Sequence, residues 1–295
     1  MLFQPSFLPW TLAMLSSSRI MSLHITSYHT ARAAWSSFLC SATMVQLEDL
    51  HLDLTDDSLE PPSFVDLENF FARHPRIHTL HIEGQLEKAE ASNFKSRQAI
   101  LPSLSSLTAH PVHLISFLDM QQSHPNTLLH LKSVKLMPWH DTFASTCNYD
   151  SFDTALAWLA NISGNNITLT LTLMHPASTW LENHVVLGPQ SVLHWLTCVS
   201  HLVLWGVTGF ETMNGICDRA VLLHWLNLFP SVQSLKLFEI ENSLEDGEFL
   251  KLIQEKCPRI KAFEGGHWGN RVTYRIIWTP IWWRSWLHHF SRKEC

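Results

Sequence analysis

Histidine is the residue type with the greatest capacity for chemistry in this sequence, accounting for 19 of the 295 residues. An imidazole can bind a transition metal, transfer a proton or change its charge near neutral pH. His78 and His81 are three residues apart, so on an extended strand they point to opposite faces and cannot easily share a metal ion. Neither this pair nor the adjacent His288 and His289 has a cysteine or carboxylate partner at zinc-site spacing. The sequence therefore predicts no metal site and no cofactor.

Motifs typical of catalysis are also missing from the sequence. It contains no nucleophile elbow, phosphate-binding loop, HExxH motif or close carboxylate pair in an expected context. Asp56 and Asp57 follow a predicted strand, where an exposed turn is the simpler interpretation. We therefore expect no catalytic residues and a non-enzymatic protein. An α/β enzyme whose catalytic residues are dispersed along the chain stays open as an alternative.

The amino-acid composition indicates the cellular compartment of the protein and excludes some classes of partner. The chain is 46% hydrophobic and 16% charged with a net charge of −6, so it can bury a core and carries no broad basic field for nucleic acid. Its six cysteines are scattered without a CxxC pair, which favours reduced thiols in the cytoplasm or nucleus. The apolar stretch Met1–Leu15 lacks the basic residues of a secretory signal, and no run is long enough for a spanning helix.

A recurring apolar pattern organises the chain: an apolar residue, two variable residues, an apolar residue, one variable residue and often another apolar residue. It begins at Leu47, Ile77, Leu104, Leu131, Val199, Val232 and Ile260. The intervals are 30, 27, 27, 68, 33 and 28 residues, and the long one contains the alternating run from Asn166 to Met174, which predicts a strand at the missing position. The period is close to that of leucine-rich repeats, which are longer when each unit contains a full helix.

Helical patterns lie between these predicted strands. They cover Ser63–His74, Ser151–Ile162, Ala220–Phe229 and Glu248–Lys256. A proline stands two residues before the strand pattern at Pro75, Pro102, Pro230 and Pro258, where it would end the helix. The sequence predicts an α/β leucine-rich-repeat-like solenoid, or horseshoe, with parallel strands on the concave face and helices on the convex face. A doubly wound α/β fold has similar spacings and stays an alternative.

The segment from Ser243 to Phe263, which contains Cys257-Pro258-Arg259-Ile260, resembles the cysteine-containing leucine-rich repeats of F-box proteins. Segments ending at Leu80 and Leu235 look like the same unit without the cysteine. Residues 44–266 are similar to divergent F-box/leucine-rich-repeat proteins of mushroom-forming fungi in their many tryptophans and histidines, their irregular repeats and their Leu-x-Leu strands. The resemblance implies a substrate receptor of an F-box type ubiquitin ligase, which binds a Skp-type adaptor. Residues 1–43 do not contain the Leu-Pro-x-Glu-like motif that opens an F-box; Leu8-Pro9-Trp10 is the only partial match.

The sequence divides into three predicted segments: a poorly patterned N-terminal segment (1–43), the repeat region (44–266) and a Trp-rich C-terminal tail (267–295). In a leucine-rich-repeat-like solenoid the residues between the apolar positions face the concave surface, where a protein partner would bind. We predict that the partner-binding residues are His51, Asp53, His78, His81, Glu83, His201, Trp205, Lys236 and Phe238. Thr108, His110, Lys132, Lys135 and Val203 have the same register.

Two further hypotheses concern the histidines and the tail. His51, His78, His81, His110 and His201 would change charge near pH 6.5 if they share one face, which predicts pH-sensitive binding. The tail carries four tryptophans between Ile276 and Lys293 with basic residues beside them. It could cap the open end of the solenoid or, as an alternative function, hold the protein at a membrane interface.

Overall fold

The fold consists of alternating strands and helices. A computed structural model describes residues 6–26, 31–54, 61–84, 86, 101–121, 130–138, 148–162, 166–174, 177–206, 219–238, 247–266 and 273–277. The helices are α1 (Leu8–Ser17), α2 (Arg32–Ser41), α3 (Phe64–Arg73), α4 (Pro111–Gln121), α5 (Asp150–Ala160), α6 (Ala177–Leu187), α7 (Arg219–Leu226) and α8 (Gly247–Lys256). Short 3₁₀ helices cover Gly188–Gln190 and Val192–Trp195. The strands are β1 (Ser22–Thr26), β2 (Asp49–Leu54), β3 (Thr79–Gly84), β4 (Ser106–Ala109), β5 (Ser133–Leu136), β6 (Ile167–Leu173), β7 (Val199–Gly206), β8 (Ser234–Phe238), β9 (Ala262–Gly266) and β10 (Thr273–Ile277).

The ten strands form one sheet in which spatial order equals sequence order. Each of β1 to β8 pairs in parallel with the next strand, and β10 pairs antiparallel with β9. A doubly wound sheet would reverse its strand order at a switch point, and the described strands contain no such reversal. The expected α/β class is therefore confirmed, and the doubly wound alternative is wrong.

Helices cover one face of this sheet. Parallel crossovers are right-handed almost without exception, so strands added in one direction place every connecting helix on the same side. In agreement, strands such as β2 and β3 alternate between incompletely buried and buried residues. The buried residues pack with the apolar faces of the helices into one continuous core that extends from Ile25 to Phe263.

Helix α3 illustrates how local sequence produces an element. Ser63 accepts a hydrogen bond from the Val65 amide at the helix N-terminus, at 3.3 Å. Phe64, Leu67, Phe70 and Phe71 are all buried, as their helical spacing predicts. Asp66 lies in the first turn of the helix, and its carboxylate accepts a hydrogen bond from the hydroxyl of Ser36 in α2, at 2.5 Å. It therefore ties α2 to α3.

The sheet begins earlier than the predicted boundary at residue 43. Strand β1 pairs with β2 so that Leu23 lies beside Leu50 and Ile25 beside Leu52. Residues 20, 23 and 25 follow the same apolar pattern, 27 residues before Leu47. In α2 the side chains of Trp35, Phe38 and Leu39 are buried in the common core. Residues described within 1–43 are thus packed as part of the sheet and its helical layer.

The strand predicted within the 68-residue interval is confirmed as β6. Its Leu169 lies beside Val134 of β5 and Leu202 of β7, which makes residue 166 the first position of the missing pattern. That position is Asn166, in the left-handed region with φ 57°. Asparagine tolerates this conformation better than the apolar residues expected there. The apolar pattern is broken at Asn166, so counting from the first position missed this unit.

The C-terminal tail contributes one described element. Strand β10 extends the sheet beyond β9 with opposite polarity. The remaining tail residues, including the tryptophans, lie outside the described residues. Across the part of the chain that the structure describes, none of the helices has both the length and the apolar character to cross a membrane.

Candidate functional site

The face opposite the helices carries the strand residues that alternate with the core residues, and we call it the open face. Parallel pairing without register shifts aligns equivalent positions in rows across β1 to β5. The central row contains His24, His51, His81, Thr108, Lys135, Thr170, Val203, Lys236 and Glu264. A neighbouring row contains Asp53 beside Glu83 and Trp205 beside Phe238. The open face therefore has a histidine and carboxylate end and an aromatic and lysine end.

Most of the predicted partner-binding residues lie on this face, in the rows just described. His51, Asp53, His81, Glu83, His201, Trp205, Lys236 and Phe238 are all strand residues with the expected register. His78 differs because it precedes β3 by one residue. Its ring lies 3.5 Å from a Glu48 carboxylate oxygen and 3.4 Å from one of Asp49, at the N-terminal edge of the sheet.

His110 corrects another expectation. The strand pattern placed it on the same face as His51 and His201, but β4 ends at Ala109 and α4 begins at Pro111. The turn between them directs His110 into the interior, where it is 9% exposed. Its ring packs edge-on against that of His113, with the ring centres 6.0 Å apart. Burial, followed by the neighbouring His113, lowers the pKa of His110 to about 3.

Three histidines form a stack at one end of the open face. The ring centres of His24 and His51 are 3.9 Å apart, and those of His51 and His81 are 3.8 Å apart. Neighbouring strands lie about 4.8 Å apart, so identical positions on β1, β2 and β3 bring the rings into contact. Among the described residues the Nε2 atom of His51 is buried and has no hydrogen-bond partner.

Two histidines of the stack, His51 and His81, have a pKa below the ordinary value. Burial, then the proximity of His81 and His24, lowers the pKa of His51 to about 4, although Asp53 opposes the shift. Burial also lowers the pKa of His81, against the hydrogen bond and charge of Glu83. His51 is therefore neutral at pH 7 and keeps a nitrogen lone pair. The predicted charge change near pH 6.5 is wrong for His51 and His110.

A carboxylate completes this cluster. Glu83 lies two residues after His81 on the same strand, with its Oε2 atom 3.4 Å from His81 Nε2. One potential ligand atom from each of His51, His81 and Glu83 lies within 4.8 Å of the other two. Sequence spacing missed the group because His51 and His81 are 30 residues apart. Only the register of β2 against β3 brings them together.

The other end of the open face carries an aromatic pair. The rings of Trp205 and Phe238 are 4.7 Å apart, and both side chains are partly exposed. Lys135 extends along the face from β5 and places its Nζ atom 5.5 Å from the centre of the Trp205 ring, a cation–π distance. Lys236 forms an ion pair with Glu264 at 2.7 Å. The aromatic pair is therefore bordered by lysine side chains.

A second polar cluster lies on the helical side of the sheet. The Ser191 hydroxyl is 2.8 Å from His184 Nδ1, and His184 Nε2 is 3.0 Å from an Asp153 carboxylate oxygen. The same oxygen accepts the indole N–H of Trp180 at 2.8 Å. The order Ser–His–Asp matches that of hydrolase triads. Ser191 is 7 positions from His184, and His184 is 31 positions from Asp153, so no short sequence motif contains all three.

Accessibility argues against a nucleophile at this cluster. Ser191 is 0% exposed and His184 is 2% exposed. The Ser191 oxygen also accepts the Leu193 amide, which caps the 3₁₀ helix at Val192–Trp195. A substrate carbonyl must reach the nucleophile to react, and the packed side chains prevent that approach. We interpret the cluster as a structural tie between α5, α6 and the 3₁₀ helix.

Comparison of this sequence with protein-family models and with curated proteins found no match.

Proposed function

We propose that this protein is a non-enzymatic protein-binding scaffold whose open face binds the partner. The observation that supports this most is the Trp205–Phe238 pair, since adjacent, partly exposed aromatic rings are typical anchors of protein interfaces. Lys135 beside Trp205 favours a partner segment that presents an apolar side chain next to an acidic one.

The architecture that best accommodates this role is a leucine-rich-repeat-like solenoid. Strand order equal to sequence order supports it, as does the recurrence of the strands at intervals near 30 residues. The thiol of Cys257 donates to the Leu223 carbonyl in α7, one unit earlier, at 3.6 Å. His74 stands before Pro75-Arg76-Ile77 as Cys257 stands before Pro258-Arg259-Ile260, and in both units the side chain at this position bonds a helix carbonyl.

We further propose that the scaffold is a substrate receptor related to F-box proteins, acting in the cytoplasm or nucleus. The support is the resemblance of residues 243–263 to cysteine-containing leucine-rich repeats, together with free thiols at Cys40, Cys198 and Cys257. The assignment implies binding of a Skp-type adaptor through the N-terminal part of the chain.

The binding role is tested by comparative affinity purification from native cells. Trp205→Ala and Phe238→Ala are combined in one variant, and Trp195→Ala is the control because Trp195 is 57% exposed on the helical side. A partner retained by the wild-type chain and by the control, but lost with the double variant, supports the proposal. A set of bound proteins that is identical for all three chains contradicts it.

Adaptor binding is tested separately with purified components. The full chain is mixed with a Skp-type adaptor, alone and with a cullin, and complex formation is followed by size-exclusion chromatography. Formation of the complex supports the F-box assignment. If the adaptor does not bind while the aromatic pair still retains a partner, the scaffold role stands and the ubiquitin-ligase role is excluded.

A further inference from the structure

The histidine and carboxylate end of the open face has the composition of a metal site. His51 and His81 offer imidazole nitrogens from neighbouring strands, and Glu83 offers a carboxylate oxygen from the strand of His81. Two imidazoles and one carboxylate are a common ligand set for zinc and related divalent transition metals. Both strands belong to one sheet, so the backbone fixes the relative positions of the three residues before any ion binds.

We propose that His51, His81 and Glu83 bind a divalent transition-metal ion of the zinc type. Two ligands of one tetrahedral zinc ion lie roughly 3.3 Å apart. His81 Nε2 and Glu83 Oε2 already have a separation of 3.4 Å. The His51 ligand atom is within 4.8 Å of both, so rotation of the partly exposed side chains of His81 and Glu83 closes the remaining distance.

Two observations distinguish this group from a chance arrangement of polar side chains. The buried Nε2 atom of His51 has no hydrogen-bond partner among the described residues, and a buried polar atom without a partner costs free energy that a metal bond would recover. Asp53 also lies close enough to act electrostatically on both His51 and His81. Its negative charge favours a cation at this point.

The site stands independently of the proposed scaffold function. It occupies β2 and β3, whereas the aromatic pair lies on β7 and β8. An ion held by three protein ligands keeps a position for water or another ligand. Loss of metal binding and loss of partner binding are therefore separable by variants at opposite ends of the open face.

The test is titration of the chelator-treated full chain with Zn²⁺ by calorimetry and with Co²⁺ by its visible d–d absorption. We expect one ion per chain, and an affinity weakened at least about 10-fold in both His81→Ala and Glu83→Gln. His201→Ala is the matched control, because His201 is an exposed histidine on the same face, and its affinity should equal that of the wild type.

Folding of each variant is checked by circular dichroism. Glu83→Gln keeps the size and hydrogen-bonding capacity of the side chain, so it reports on the ligand even if His81→Ala unfolds. Zn²⁺ should also raise the thermal midpoint of the wild type and not that of Glu83→Gln. Absence of saturable binding overturns the proposal. So does binding of equal affinity in the wild type and Glu83→Gln, which would assign the ion to other histidines.

Discussion

At the scale of single residues, the buried His74 is a neutral imidazole with a structural role. His74 is 2% exposed, and its Nδ1–H donates to the Phe70 carbonyl at 2.7 Å. Its Nε2 atom accepts the Met44 amide at 2.9 Å, so one ring connects α3 to the segment after α2. Both hydrogen bonds require the neutral imidazole, and burial lowers its pKa accordingly.

Replacing His74 by alanine should lower the free energy of unfolding by about 2–4 kcal/mol, because it leaves a buried amide and a buried carbonyl without partners. The measurement is urea unfolding followed by circular dichroism. The control is His201→Ala at an exposed position, which should stay within about 0.5 kcal/mol of the wild type. Equal stability of the two variants would mean that the hydrogen bonds of His74 to Phe70 and Met44 do not stabilise the fold.

His110 and His113 make stability depend on pH. His113 is 2% exposed and donates to the Gly84 carbonyl at 2.9 Å, and burial lowers its pKa to about 4. A folded-state pKa below the unfolded value of about 6.5 means that the unfolded chain binds more protons in this range. Stability should therefore fall as pH drops from about 6.5 towards 4, by about 1.4 kcal/mol per pH unit for each such histidine.

The variant His113→Gln keeps a donor for Gly84 and removes the titrating ring. We expect a shallower loss of stability in urea unfolding between pH 7 and pH 5 than for the wild type. Carboxylates contribute equally to both chains, so the difference in slope isolates the histidine. Identical slopes would contradict the assignment.

At the scale of elements, polar ties connect neighbouring helices. Ser191, His184 and Asp153 link α5, α6 and the 3₁₀ helix at Val192–Trp195. The Arg73 guanidinium of α3 similarly donates to the Leu39 carbonyl of α2. Such ties complement apolar packing because they fix the relative position of helices that leucine side chains alone would leave able to slide.

We expect His184→Ala to destabilise the protein by about 2–4 kcal/mol, since it empties a buried position and removes partners of Ser191 and Asp153. The control is His194→Ala, because His194 is exposed.

A fluorophosphonate probe, which labels activated serines, should leave Ser191 unmodified in the folded chain. Labelling of Ser191 that is lost in His184→Ala would instead support a hydrolase.

At the scale of the whole molecule, stability is distributed along a sheet in which each unit contacts its neighbours. The N-terminal elements belong to this array, because β1 pairs with β2 and α2 packs on α3. A chain that starts at residue 44 would lose Trp35, Phe38 and Leu39 from the core, each worth about 1.5–3 kcal/mol of burial, and would expose the edge of β2.

We therefore expect a chain starting at residue 44 to unfold at lower denaturant concentration and to aggregate. Of the described elements, a chain starting at residue 19 loses α1 alone; the residues of α1 are mostly exposed, so this chain should keep most of the stability. Urea titration and light scattering compare the three chains. Equal stability of the full chain and the chain starting at residue 44 would place residues 1–43 outside the fold.

The sequence by itself determined the local elements. Alternating apolar residues predicted β6, helical spacing predicted the buried face of α3, and the pattern intervals predicted parallel strands joined by helices. These features depend on residues a few positions apart, whose relative directions the backbone geometry of a strand or helix sets. The pattern failed where one position departed from it, as at Asn166.

The tertiary structure alone decided which distant residues meet. The His51–His81–Glu83 group, the Trp205–Phe238 pair and the Ser191–His184–Asp153 tie each join residues about 30 or more positions apart in the chain. Strand register and helix packing bring them within hydrogen-bonding or stacking distance. His110 was misplaced for the same reason: where a strand ends and the chain turns into a helix is set by packing, and alternation stops predicting direction at that point.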